Sequence, residues 1–205
     1  MKKVGLFLLI LAIALMLGAN AFAQSTGDEA SYFVAYYSNA NTAGAPDEVL
    51  RIVNDGSQAT YGSEGVLNGT LWAAIYVFDD SQEMQACCAC RITADGLLSE
   101  SVNKQLLSST FTGRKLTRGV IKVVSSTSYD PTNPMSVPGL RGWFTTVDAT
   151  SNNPSKGPFY VTRTALADAN LGAVELANLG NVCSYGLTIA SGPGLCPCTP
   201  EDKDF

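Results

Sequence analysis

Histidine is absent from all 205 residues. That removes Ser-His-Asp and Cys-His catalysis, histidine-ligated catalytic zinc, and imidazole acid–base chemistry. Basic residues are scarce too: 13 Lys and Arg stand against 18 Asp and Glu, for a net charge of −5. The chain therefore lacks the electrostatic footprint of a nucleic-acid or anionic-lipid binder. Arg114, Lys115 and Arg118 form one loose basic group, which reads as a solvated turn. No glycine-rich phosphate loop and no G-x-S-x-G turn occurs.

Long apolar runs are also missing, apart from the first residues. Lys2 and Lys3 precede a stretch from position 4 to 18 that is apolar except for two glycines, and Ala21-Phe22-Ala23 follows the small-x-small rule. This reads as a signal peptide, residues 1–23, cleaved before Gln24. At about 15 residues the run is short of the ~20 that a spanning helix needs. The alternative is an uncleaved N-terminal anchor. Cleavage leaves 182 residues with net charge −7, the size of one domain, 24–205. The expected location is secreted or periplasmic, with no membrane anchor after cleavage.

Against these absences stand six cysteines in two triplets. Cys87, Cys88 and Cys90 form one; Cys183, Cys196 and Cys198 form the other, and 92 residues without cysteine separate them. In an oxidising compartment this reads as three disulfides. Six cysteines allow 15 pairings. Sequence neighbours such as Cys87 and Cys88 rarely bridge, because their Cβ atoms point apart. At least two bridges between the triplets are expected, each closing a loop of about 95 to 110 residues. Two alternatives remain open. Cys87, Cys90, Cys196 and Cys198 could offer four thiolates to zinc. Cys87-x-x-Cys90 has the spacing of a redox pair, without a surrounding βαβ pattern.

Charged residues make up only 15% of the chain, and Gly, Ser, Thr and Asn are abundant. Period-2 runs rich in β-branched and aromatic residues occur at 32–37, 49–53, 71–78, 120–126, 142–147 and 159–164, with a weaker one at 97–107. Turn signals separate them, among them Asp55-Gly56, Asp95-Gly96 and Pro138-Gly139. Asn68-Gly69-Thr70 matches a glycosylation acceptor and also a hairpin turn, and reads as the turn. The predicted fold is mainly β, an antiparallel sandwich or barrel. Short helices are expected near both cysteine clusters. Residues 79–90 read as one, capped by Asp80 or Ser81 with Glu83 in its first turn. Residues 168–184 read as the other, with Leu171, Val174, Leu176, Leu179 and Val182 spaced for an amphipathic face and Gly172 and Gly180 weakening it.

Two blocks carry a resemblance. The first runs Ala74-Ile75-Tyr76-Val77-Phe78-Asp79-Asp80, then Gln82-Glu83-Met84-Gln85-Ala86-Cys87-Cys88-Ala89-Cys90, then Thr93-Ala94-Asp95-Gly96-Leu97. The second is Glu175-Leu176-Ala177 with Leu179 and Cys183, then a glycine-rich turn into Cys196-x-Cys198. Together they resemble an uncharacterised family of exported acidobacterial proteins with a CCxC cluster and a C-terminal CxC tail. The resemblance implies the cysteine framework and a bacterial export compartment. It brings no activity, cofactor or catalytic residue. The chain departs from the family where Trp72 stands near a usual cysteine, and where the glycine-rich turn lacks a histidine.

Among candidate sites, Asp79, Asp80 and Glu83 could supply hard oxygen ligands to calcium, though without D-x-D-x-D-G spacing. Asp79 and Asp80 also suit helix capping. A carboxylate pair for glycoside hydrolysis finds Glu48, Glu64, Glu83 and Glu100 equally available. Tyr32, Phe33, Tyr36 and Tyr37 could stack on sugar rings, but packing is the simpler role. Trp72 and Trp143 read as core or inter-sheet residues. The sequence points to a non-enzymatic structural, surface or binding protein of the cell exterior, with an assembly subunit as one version. Its expected partners are further copies of itself or another extracellular molecule. The alternatives are a carbohydrate- or calcium-binding module and a carboxylate-pair hydrolase. No cofactor is expected.

Overall fold

The computed structural model describes residues 30–62, 67–149, 158–190 and 192–199. The signal-peptide reading falls outside them. The fold is mainly β, with every strand pair antiparallel. The strands are β1 (Tyr32–Tyr37), β2 (Val49–Asn54), β3 (Thr60–Tyr61), β4 (Leu67–Asn68), β5 (Leu71–Asp79), β6 (Met84–Ile92), β7 (Leu97–Ser101), β8 (Gly119–Ser126), β9 (Leu140–Ala149) and β10 (Phe159–Ala165). A single π-type turn, Val102–Leu106, follows β7, and helix α1 spans Ala173–Ile189.

Two four-stranded sheets form a sandwich rather than a closed barrel. The first has order β1-β8-β5-β6 and the second β10-β9-β2-β7; β3 and β4 make a small separate ribbon. Alternation along each strand builds the space between the sheets. Phe33, Ala35 and Tyr37 point inward from β1, Leu71, Ala73, Ile75 and Val77 from β5, Leu50 and Ile52 from β2, and Phe144 from β9. All are under 9% exposed. Burying each large apolar side chain contributes roughly 1.5–3 kcal/mol.

The first sheet is covered on both faces. Its outer side chains Tyr32, Ala74, Tyr76, Cys87 and Val124 pack with Leu179 and Cys183 of α1. Tyr76 donates to the Pro131 carbonyl at 2.8 Å. Lys122 donates to Glu175 at 2.6 Å, and the Tyr32 hydroxyl donates to the same carboxylate at 3.4 Å. Burial, then the Glu175 charge, pushes the Tyr32 phenol up to about 12. It therefore stays protonated and remains a donor.

Residues 79–90 are not a helix. They form a tight turn and then β6. Asp79 Oδ1 accepts from the N–H groups of Ser81 and Glu83 at 2.9 and 3.0 Å. An Asp bonding forward along the backbone serves a turn as well as a helix cap, so the two share one sequence signature. The strand itself is buried on both faces, which erases the alternation that marks half-buried strands. A bulge adds to this. Val77 pairs with Ala86 but Phe78 pairs with Met84, which leaves Gln85 extra. The second helix lies five residues further along than 168–184. Asn68-Gly69 is a corner between β4 and β5, not a hairpin turn, because these two strands pair with different partners.

Candidate functional site

The Gln85 bulge sets the parity of the cysteines. After it, Ala86, Cys88 and Cys90 face the inter-sheet core, while Cys87 faces outward with Met84. Bulges re-aim side chains in this way. The Gln85 amide donates to Asp79 Oδ2 at 2.9 Å and its carbonyl oxygen accepts from the Thr112 hydroxyl at 2.6 Å, so the bulged side chain is itself anchored.

Each face of β6 then receives its own bridge. Cys87 pairs with Cys183 of α1, Cys88 with Cys196, and Cys90 with Cys198. All three bridges join one triplet to the other, and no cysteine is left free. The set Cys87, Cys90, Cys196 and Cys198 does not converge as a zinc site, because Cys87 lies on the opposite face of β6 from Cys90. The Cys88, Cys90 and Cys198 sulfurs do lie within 4.8 Å of one another, as neighbouring disulfides.

The tail 192–199 runs along the open side of the sandwich. The Cys87 N–H donates to the Gly194 carbonyl at 2.9 Å. Further on, the Thr199 N–H donates to the buried Glu100 carboxylate of β7 at 2.7 Å. The Phe111 N–H donates to the Gln85 carbonyl at 2.7 Å, and the Gly192 N–H to Phe111. The edge of β6 and the gap to β7 are thus closed by a strap held by two disulfides.

The remaining sequence candidates are spread apart. Asp79 is buried and spends its carboxylate on the turn and Gln85. Asp80 is exposed and pairs with Arg118 at 2.7 Å. Glu83 lies at the rim of a cleft of about 420 Å³ between α1 and β6, lined also by Met84, Phe111, Val182, Tyr185 and Ile189. These three acids do not gather into a ligand cluster among the described residues. Glu48 is buried and accepts from Ser38 N at 3.2 Å and Val147 N at 3.1 Å, as a strut between the β1–β2 loop and β9. The clefts that hold Glu83, Asp80 and Asp79 each contain a single carboxylate.

The aromatic candidates divide in a way the sequence does not indicate. Phe33 and Tyr37 are inter-sheet core and Tyr32 lies under α1, which leaves Tyr36 exposed alone. Neither tryptophan is inter-sheet. Trp72 stands on the outer face of the first sheet, edge-on to Tyr129 with ring centroids 6.1 Å apart. Trp143 stands on the outer face of the second sheet and is 37% exposed.

The second open feature is β10. Among the described residues it pairs only with β9, and all of its residues except Phe159 are exposed. Leu166 N donates to Gly142 O just beyond it. By alternation, the even-numbered residues of β10 bond to β9. The N–H and C=O groups of Phe159, Val161, Arg163 and Ala165 therefore point away from the sheet. No helix among the described residues is long and apolar enough to cross a membrane. No family model, curated protein or solved structure matches the chain.

Proposed function

We propose that this is an exported, non-enzymatic structural or surface protein that works outside the cell by associating with further copies of itself. The observation that carries the reading is the unequal treatment of the two sides of the sandwich. The β6–β7 side is strapped and bridged, whereas β10 on the other side offers seven residues, FYVTRTA, with an open edge. Unpaired edges are templates for strand addition, and most folds blunt them with lysine, proline or a cover. This edge has one charge, Arg163, and no proline. Three disulfides and the resemblance to exported acidobacterial proteins fit the same compartment.

The strand complements itself. Two copies related by a two-fold axis at Thr162 pair Phe159 with Ala165, Val161 with Arg163 and Tyr160 with Thr164. Every outward-pointing backbone group then meets another, and aromatic and β-branched pairs of this kind favour the sheet. Val161→Pro tests it. This N–H points away from β9, so proline removes a donor from the new pairing without breaking the old one. Light scattering coupled to size exclusion should give a concentration-dependent multimer for residues 24–205 and a monomer for V161P with unchanged circular dichroism. A wild-type protein that stays monomeric at high concentration would overturn the reading.

A further inference from the structure

The two sheets differ in what lies on their outer faces. The first is covered by α1. Over the second, no helix packs among the described residues, and an unusual group of side chains is left open there. Arg141 and Trp143 are exposed along β9, and Thr145, next on the same face, is buried at 8% exposure. In register, Trp143 sits between Arg51 on β2 and Ala165 on β10, and Thr145 lies opposite Arg163. The Arg51 Nη1 donates to the Thr145 hydroxyl at 3.0 Å, which holds the guanidinium diagonally across to β9.

Charge sets this patch apart from the rest of an acidic chain. Arg141 is matched, by Asp55 at 3.0 Å and Asp168 at 3.8 Å. Arg51 and Arg163 have no carboxylate partner among the described residues. They stand on either side of β9, two strand spacings apart across the sheet and two residues apart along it, or roughly 12 Å between their backbones. The methyl group of Ala165 leaves the indole uncovered on the β10 side. The result is an exposed indole with Arg51 level with it on β2 and Arg163 diagonal to it on β10.

We propose that this face binds an acidic saccharide, with the indole stacked on one sugar ring and Arg51 and Arg163 each pairing with a carboxylate or sulfate of a neighbouring sugar. Aromatic faces accept the apolar face of a pyranose, and guanidinium forks match carboxylates in bidentate geometry. The spacing of the two arginines suits charges on alternate sugars of an extended chain. A nucleic acid is the poorer match, because it calls for a broad basic footprint, and here 18 acidic residues outnumber 13 basic ones.

The test is calorimetric titration of residues 24–205 with oligogalacturonate, a neutral glucan oligomer and a single-stranded oligonucleotide. Oligogalacturonate should bind, at least tenfold more tightly than the neutral glucan, and should weaken with added salt. Arg163→Gln, at an exposed position, and Trp143→Ala should each reduce affinity about tenfold or more. V161P retains Arg51, Trp143 and Arg163 and should bind as the wild type does, which separates this site from self-association. Three outcomes would overturn the proposal: no binding of oligogalacturonate, equal binding by R163Q and the wild type, or tighter binding of the oligonucleotide.

Discussion

Glu48 shows how a single carboxylate can organise a junction. It is 1% exposed, yet it joins the Ser38–Asn39 backbone to β9. Burial raises its pKa above the ordinary glutamate range; N–H bonds from Val147, Ser38 and Asn39 pull it part of the way back, and the Asp148 charge adds to the rise. A carboxyl that holds its proton more tightly when folded favours folding at low pH. That contribution is complete below the unfolded pKa and is lost as pH rises through the folded one. Glu48→Gln removes the titration, so the wild type should gain stability relative to E48Q between about pH 7 and about pH 4. Urea unfolding at both values checks this, and a wild type that loses ground on acidification would reverse the sign. Glu48→Ala leaves buried N–H groups without an acceptor and should cost roughly 2–4 kcal/mol.

Helix α1 is the element most dependent on covalent chemistry. Of its 17 residues, only Leu179, Gly180 and Cys183 are buried. An isolated helix of that length is marginal in water, so the Cys87–Cys183 bridge does much of the holding. In a Cys87→Ala/Cys183→Ala variant the other two bridges still tie the ends of the chain together. The lost bridge then closes a remaining loop of about 15 residues, worth about 3 kcal/mol in the chain-entropy model. Hydrogen exchange should speed up across 173–189 while β5 and β8 stay protected; a helix that remains protected would show that packing alone suffices. Much at this scale was legible in the sequence. Six strands fall within a residue or two of their observed ends. The failures have physical causes. Strand β6 is buried on both faces and bulged at Gln85, so its pattern imitates a helix. The glycines that weaken the reading of α1 serve close approach: Gly180 abuts the Thr132 carbonyl, and Gly186 the ring of Phe111. Of the site, the cysteine triplets could be read but not their pairing, which depends on that bulge. The Trp143 patch could not be read, because Arg51, Trp143 and Arg163 come from three strands whose register only the fold establishes.

At the scale of the molecule, the strap decides which edges can associate. A sandwich of two four-stranded sheets has four strand edges, and here β6 and β7 are spanned by 192–199 while, among the described residues, nothing pairs with the outer edge of β10. The strap forms few backbone hydrogen bonds to β6, and its hold comes from Cys88–Cys196, Cys90–Cys198 and the Thr199–Glu100 contact. Removing both disulfides while keeping Cys87–Cys183 should free the strap without undocking α1. Strand β6 would then become a second template for strand addition, next to an apolar stretch that includes Ala86, Cys88 and Ile92. A variant with Cys88, Cys90, Cys196 and Cys198 all changed to alanine should therefore scatter more light than the wild type at equal concentration. Adding V161P should not suppress that excess, since the new edge lies across the sandwich from β10. If V161P returned scattering to the monomer level, all association would run through β10 and the strap would serve stability alone. The prediction thus separates two roles for one covalent device: holding the fold together, and limiting growth to one side of it.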